Sequence, residues 1–227
     1  VTVTDGAGSP RSGLYGDYTD NQMREVRITE EKKAAFVGEF GAAVLLDYPS
    51  SAAKDSDETS IIEELARIID AARPGVIYTH NLADKHDTHV AVALRTLAAI
   101  KRLPATARPK RVYGCEVWRD LDWMSDTNKV AFDVSAHENL AAAVLGVYDS
   151  QIAGGKRYDL ATAGRRLAHA TFSESHSVDA AAALIYAMDL TPLVDDYTAG
   201  TVAFVQAHIA RMNDEISKRI ADLEGRK

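Results

Sequence analysis

Short apolar segments alternate with longer amphipathic ones along the first half of the chain, and this alternation constrains the fold most strongly. The segments predicted as strands are Val1–Thr4, Ala42–Leu46, Val76–Tyr78 and Val112–Tyr113, the last extending as far as Trp118. The segments predicted as helices are Arg27–Phe40, closed by Gly41, then Ile61–Ala72 and Thr88–Arg102. This order predicts an α/β protein with a Rossmann-like, mostly parallel sheet and helices on both faces.

The last third of the chain predicts a helical C-terminal part. The predicted helices run from a capping box at Ser135 to Tyr148, over Tyr158–Ala170, over Val178–Met188, and onward from a cap at Asp195-Asp196. The last of them carries an apolar stripe made of Val202, Val205, Ile209, Met212, Ile216 and Ile220. Such a stripe packs on its own domain or on a partner subunit, which allows a homo-oligomer. At 227 residues, we expect a single domain over 1–227.

Charge and cysteine content exclude several classes of function. The net charge of -7 argues against general nucleic-acid binding, because the phosphate backbone repels an acidic protein. The lone Cys115 permits no internal disulfide, so we expect a reducing compartment, the cytoplasm. The apolar run Ala141–Val147 is too short and too rich in alanine to span a bilayer.

Polar groups follow each predicted strand of the first half of the chain. They are Asp5, Asp47, the segment Thr79–His89 and Glu116. Right-handed crossovers bring the carboxyl ends of parallel strands to one edge, where ligands bind in such sheets. The sequence therefore predicts a binding site at this edge.

The segment Thr79–His89 holds three of the seven histidines and two aspartates. His86 and His89 are three residues apart, so they share a face in a first helical turn. A neutral imidazole is a good zinc ligand, a carboxylate such as Asp84 can orient it, and a second imidazole can donate a proton or stabilise charge. A polar loop that caps a helix is the alternative interpretation, but the clustering favours function. The segment offers one or two ligands, whereas a catalytic zinc takes about three from protein.

This histidine segment resembles the second signature of the PIG-L/LmbE family of zinc-dependent N-deacetylases, a His-x-x-His preceded by Asp-x. Three weaker elements resemble the same family in the same order along the chain. They are Thr4-Asp5-Gly6, the Arg-x-x-Glu helix start Arg27-Ile28-Thr29-Glu30, and Ser150-Gln151. The resemblance extends from residue 1 to about residue 190.

The resemblance implies roles for three residues of the segment. His89 would be a zinc ligand, His86 would stabilise the oxyanion or protonate the leaving amine, and Asp84 would orient the cluster. The family takes its other two ligands and its general base from a His-Pro-Asp-Asp-Glu motif, which residues 1–227 do not contain. We therefore expect an N-terminally truncated chain whose remaining zinc ligands lie upstream of Val1. A second departure is Thr88, where many members carry aspartate.

Four further residues are candidates for binding the substrate. Asp5 and Arg27 are suggested by the resemblance. Arg27 could equally be an ordinary surface arginine at the start of a helix. Arg11 lies in a glycine-rich loop where it could hold an anionic group, unless the loop is an ordinary tight turn. His176 could line the pocket from the C-terminal part.

The resemblance implies zinc-dependent hydrolysis of an N-acyl amide, such as an N-acetyl group, on a small amino-sugar-like substrate. The competing hypothesis is a non-catalytic α/β binding or interaction module with an incomplete metal site.

Overall fold

The computed structural model describes residues 1–196, 198 and 200–225. The strands are β1 Thr2–Thr4, β2 Leu45–Tyr48, β3 Val76–His80, β4 Arg111–Cys115, β5 Lys129–Asp133 and β6 Leu184–Asp189. The helices are α1 Asp20–Val37, α2 Ser50–Lys54, α3 Ser60–Ala72, α4 Asp87–Arg102, α5 Glu138–Gly146, α6 Asp149–Ile152, α7 Tyr158–Thr171, α8 Pro192–Asp195 and α9 Thr201–Leu223. None of the helices in this described part has the length and apolar character that crossing a bilayer requires.

The chain forms two compact units, each made of two segments. The first unit comprises residues 1–58 and 133–185, and the second comprises 59–132 and 186–227. The expectation of one domain over the whole chain stays a prediction.

The first unit pairs β1 with β2 in parallel and packs α1 close to α5 and α6. Helix α1 begins at a capping box, in which Thr19 and Gln22 exchange side-chain and backbone hydrogen bonds. Met23 and Ala34 of α1 are buried and anchor the helix in the unit.

A buried carboxylate connects α1 to α6 within the first unit. Glu30 is only 4% exposed, and Ser150 is fully buried. The Ser150 backbone N–H donates to Glu30 Oε1 at 2.7 Å, and the Ser150 hydroxyl donates to Glu30 Oε2 at 2.8 Å. Each carboxylate oxygen thus has a donor, as a buried charge requires.

The second unit contains a four-stranded sheet in the order β3-β4-β6-β5. Strands β3 and β4 run parallel, with His80 opposite Cys115, and β6 runs antiparallel to β4. Helices α3 and α4 pack on each other through apolar side chains. The buried apolar side chains of these two helices are Ile61, Ile62, Leu65, Ile69, Ala93, Leu97, Ala99 and Ile100.

The α/β class predicted from the sequence is confirmed, as are all four strands of the first half of the chain and the three helices between them. Their ends differ by up to seven residues. Helix α1 starts at Asp20 because Thr19 caps it, and it ends before Gly38 rather than at Gly41. The fourth predicted strand stops at Cys115. Strand β5 was not predicted.

The predicted helix over Val178–Met188 is wrong, because the segment ends in the buried strand β6. The Val134 N–H donates to the carbonyl of Ala183, which starts the extended pairing of this segment. The Ser135 hydroxyl accepts hydrogen bonds from the N–H groups of Ala182 and Ala183. A short apolar run fits either structure by periodicity, and here the neighbouring strand decides it.

Two predicted helix caps are also wrong. The hydroxyl of Ser135 holds the start of β6, so it does not cap α5, whose N-cap is His137. Asp195 ends α8, and Asp196 accepts from the N–H of Thr198 in a turn. Helix α9 begins later, after Gly200.

Replacement of Ser150 by alanine tests the buried pair. Ser150→Ala removes one donor from the Glu30 carboxylate, and we expect the free energy of unfolding to fall by about 1–3 kcal/mol, as for other hydrogen bonds to buried charges. Urea denaturation followed by circular dichroism measures the change. Ser51→Ala, at an exposed serine of the same unit, is the matched control and should leave the midpoint unchanged. Equal midpoints for the two variants would contradict the assignment.

Candidate functional site

The candidate site lies in the loop between β3 and α4, at the carboxyl end of β3. Asn81, the first residue of the loop, is fully buried. Its backbone N–H and its side-chain amide both donate to the carbonyl of Cys115, and the amide also reaches the carbonyl of Arg119 at 3.4 Å. Its side-chain oxygen accepts from the N–H of Ala83 at 3.0 Å. Asn81 therefore joins the loop after β3 to the loop after β4.

Gly114 of β4 gives this loop the space it needs. A Cβ atom at residue 114 would lie 3.0 Å from the Asn81 Cα, 3.0 Å from the His80 carbonyl oxygen and 2.9 Å from a Leu190 methyl group. Any larger residue would therefore push on the backbone that leads into the histidine loop. The glycine is required by this close approach.

The carboxylate of Asp84 organises the loop. Its side chain is fully buried, and it accepts from the N–H of His86 at 2.9 Å and from the N–H of Trp118 at 3.0 Å. Burial by itself would raise the pKa of Asp84, but the two backbone donors and the neighbouring His89 outweigh it, so the pKa lies below its usual value. The carboxylate is therefore charged at neutral pH.

Three imidazole rings stack beside this carboxylate. The rings of His80 and His89 are nearly parallel, with centroids 4.0 Å apart, and the centroid of the His86 ring lies 4.5 Å from that of His89. The indole of Trp118 lies 5.9 Å from His86. We call His80, His89 and His86 the histidine stack.

Burial keeps two rings of the histidine stack, those of His80 and His89, neutral. Burial lowers the pKa of His80 to about 4, and repulsion from His89, when that ring is protonated, acts in the same direction. Burial also lowers the pKa of His89, although the nearby Asp84 carboxylate acts in the opposite direction. Both rings are thus available at neutral pH as unprotonated imidazoles, the form that binds a metal ion.

His89 suits the role of a metal ligand, but the described residues do not complete a zinc site. The Nδ1 atom of His89 is buried and lies 3.6 Å from Asp84 Oδ2, and within the described structure it makes no hydrogen bond. A proton on Nδ1 facing Asp84 would leave Nε2 as the metal-binding atom, the usual arrangement of a carboxylate behind a ligand histidine. Yet the described residues include no group of three or more histidine, cysteine or carboxylate side chains placed to hold a metal ion. Since a catalytic zinc takes about three protein ligands, these residues alone do not fit one.

The four predicted substrate-binding residues lie in the first unit. Asp5 accepts from the N–H of Ala7 in a tight turn, and His176 is exposed in the loop after α7. The guanidinium of Arg11 is held by the carboxylate of Asp20 and by backbone carbonyls. Their roles in binding stay predictions, and for Arg11 the structure adds a local one, since it ties its own loop to the start of α1.

Arg27 is half-buried and packs against Gly6. Burial lowers the pKa of its guanidinium, and among the described residues its Nε atom has no hydrogen-bond partner. Gly6 adopts a φ of 69°, and a Cβ atom there would lie 2.9 Å from the Arg27 Cγ. Together with the Glu30–Ser150 pair, this contact brings together the weak sequence elements around Gly6, Arg27 and Ser150 in one unit.

Two other polar residues near the sheet edge have structural roles. Glu116 is buried, and its carboxylate accepts from the N–H groups of Leu121 and Tyr186. Burial, then the charge of Glu116, raises the pKa of the Cys115 thiol to about 11, so the thiol is protonated and unreactive at neutral pH.

The sequence prediction of the site omitted His80 and Trp118 as site residues. The signal for His80 was present, since it is the last residue of the strand that leads into the histidine loop. No comparable signal existed for Trp118, because its role depends on a backbone N–H that any residue except proline would supply.

The sequence profile of the PIG-L family, described as GlcNAc-PI de-N-acetylase, matches residues 1–100. This stretch contains β1 to β3, the histidine loop and most of α4. No curated protein matches the chain by sequence.

Several solved structures share the fold. GalB, the 4-carboxy-2-hydroxymuconate hydratase of Pseudomonas putida, superposes with a TM-score of 0.59 at 16% identity, over 82% of this chain and 80% of its own. The N,N'-diacetylchitobiose deacetylase of Pyrococcus horikoshii superposes with a TM-score of 0.55 at 13% identity, over 81% and 70%. A conserved protein of Thermus thermophilus gives 0.56 at 19% identity, over 78% of each chain. At these identities the likeness concerns the fold alone.

Because the histidine stack contains buried neutral imidazoles, we expect the free energy of unfolding to decrease in acid. An unfolded histidine has a pKa of about 6.5, whereas folded His80 has a pKa of about 4. Between these values the unfolded chain binds more protons, so the free energy of unfolding should fall as the pH decreases from about 6.5 to about 4. Urea denaturation at a series of pH values, with a chelator present, measures this slope.

His80→Phe keeps an aromatic ring in the stack and cannot titrate. We expect a smaller pH slope in this variant, with the remaining slope due in part to His89. His137→Phe, at an exposed histidine, is the control and should retain the full slope. An unchanged slope in His80→Phe would show that His80 is not held neutral.

Proposed function

We propose that this protein hydrolyses an N-acyl amide and uses zinc as its metal ion. The proposal starts from the match of the PIG-L family profile to residues 1–100. The observation that carries the proposal is the buried Asp84 carboxylate, which sits 3.6 Å from a neutral, half-buried His89 at the carboxyl end of a parallel strand. We propose an N-acetylated amino sugar or a similar small molecule as the substrate, and the cytoplasm as the location.

The fold alone does not identify the reaction. One structure that shares it is a hydratase and another is a deacetylase. The preference for deacetylation comes from the family match, which includes the Asp84, His86 and His89 positions.

In this proposal His89 is a zinc ligand and Asp84 orients it. Zinc, when bound, would supply polarisation of the acyl carbonyl and a more acidic water. The buried, charged Asp84 favours a proton on His89 Nδ1 and keeps its ring in a fixed orientation. The described residues hold no complete zinc site, so the proposal assigns His89 as one ligand only.

His86 acts on the substrate side of the stack. Its side chain is exposed, and its backbone N–H is fixed by Asp84 while its ring stacks on His89. From there it can donate a hydrogen bond to the oxyanion of the tetrahedral intermediate or a proton to the leaving amine. In either role His86 is not a metal ligand, so His89 is the proposed zinc ligand of this loop.

A second candidate function is a binding module without catalysis. The observation that favours it is the lack, among the described residues, of a group of three metal-binding side chains. Such a module would bind a small ligand at the same sheet edge and release no amine.

The two functions are separated by experiments on the full-length gene product. Zinc content is measured by inductively coupled plasma mass spectrometry, and amine release is measured from a panel of N-acetylated amino sugars. We expect about one zinc per chain and amine release from at least one compound. Absence of both zinc and amine release would contradict the hydrolase and favour the module.

Two histidine variants then separate the roles of ligand and acid. His89→Ala should lose both zinc and activity. His86→Gln should keep its zinc while kcat falls about 100–1000-fold, the size of effect seen when one oxyanion donor is removed. His137→Ala, at an exposed histidine of the first unit, should match the unaltered protein. Full zinc content in His89→Ala would contradict the ligand assignment.

A further inference from the structure

Helix α9 carries a continuous apolar seam along its length. The seam consists of Val202, Val205, Ile209, Met212, Ile216, Ile220 and Leu223. Successive members are three or four residues apart, which keeps them within a narrow stripe on one face of the helix. This spacing is typical of a helix that packs along its length against a second helix.

The second unit covers only part of this helix. Near its start, His208 is buried, and its ring lies 4.8 Å from that of Phe204. From residue 213 to residue 220 every residue is exposed. Ile209 and Ile220 of the seam are each 52% exposed, and Leu223 is 83% exposed. The C-terminal half of the seam thus presents large apolar side chains to solvent in a contiguous row, which marks an interaction surface.

The charges beside the seam fit a second copy of the same helix in antiparallel orientation. When two α9 helices cross at Ile216, Met212 faces Ile220 of the other copy and Ile209 faces its Leu223, so the layers between residues 209 and 223 are apolar. Glu215 and Arg219 lie on the same flank of the seam. In an antiparallel pair, like flanks meet, and Glu215 comes within about two residues, roughly 3 Å along the axis, of Arg219 on the other copy. Two-fold symmetry forms this ion pair twice.

A parallel pair fits the same residues poorly. In register, it would bring opposite flanks together, so Arg219 of one copy would not reach Glu215 of the other. It would also place Glu215 opposite Ile220 of the other copy, where it finds no cation.

We propose that α9 pairs with α9 of a second copy of this chain, antiparallel and centred on Ile216. The pairing uses the exposed half of the seam and leaves the histidine loop out of the interface. It does not depend on the catalytic proposal.

Sedimentation equilibrium of the full chain over a range of concentrations tests the pairing. We expect a monomer–dimer equilibrium for the unaltered protein and a monomer at all concentrations for Ile216→Glu. Circular dichroism and the urea midpoint show whether Ile216→Glu still folds. A monomeric unaltered protein at all concentrations would overturn the proposal.

Charge exchange tests the partner independently of the apolar layers. Arg219→Glu alone and Glu215→Arg alone should each weaken the dimer by about tenfold or more, because each brings like charges together. The double variant restores opposite charges across the interface and should recover the dimer. Lys218→Glu, on the far side of the helix from the seam, is the matched control. Failure of the double variant to recover would count against the antiparallel pairing.

Disulfide cross-linking tests the orientation. In a Cys115→Ala background, Ile209→Cys and Leu223→Cys are prepared as separate proteins and then mixed. An antiparallel pair gives the mixed 209–223 cross-link in preference to either homodimer. Preferential 209–209 and 223–223 cross-links would establish a parallel pair and overturn the proposal.

Discussion

The Asp84 carboxylate carries a charge without exposing any of its surface to solvent, and the arrangement of the site depends on it. Two backbone N–H groups, one from His86 at the start of α4 and one from Trp118 after β4, offset the loss of hydration. The charge therefore fixes the first turn of α4 relative to the neighbouring loop. Since His86 and His89 belong to that turn, its position determines where their rings lie.

The stack adds a second constraint, which is electrostatic. Burial, and then the repulsion that protonated rings 4.0–4.5 Å apart would feel, keeps the imidazoles of His80 and His89 neutral. Neutral rings are poor at relaying acid but good at binding a cation, and the adjacent anion strengthens that tendency. The physical chemistry of the loop thus favours metal binding, although the described residues supply only part of what a catalytic zinc needs.

The sequence predicted the elements whose signals are local. The strand endings, the helix that starts at Asp87 and the clustering of Asp84, His86 and His89 all follow from periodicity and spacing within a few residues. The predictions that failed depended on distant partners. Residues 178–188 have the composition of a helix, and pairing with a strand some fifty residues earlier decides their conformation. The hydroxyl of Ser135 is used in that pairing rather than in capping, and the contact of Trp118 with Asp84 could not be read from its side chain.

The side chain of Asn81 has a consequence for how this protein can diversify. Its side-chain amide donates to the carbonyls of Cys115 and Arg119, and its side-chain oxygen accepts from the N–H of Ala83. These hydrogen bonds couple the loop after β3 to the loop after β4. Insertions or deletions between β4 and Trp118 would be transmitted to the imidazoles, even though they lie outside the histidine segment. Substitutions that change ligand preference are more readily tolerated in loops that are not hydrogen-bonded to each other in this way.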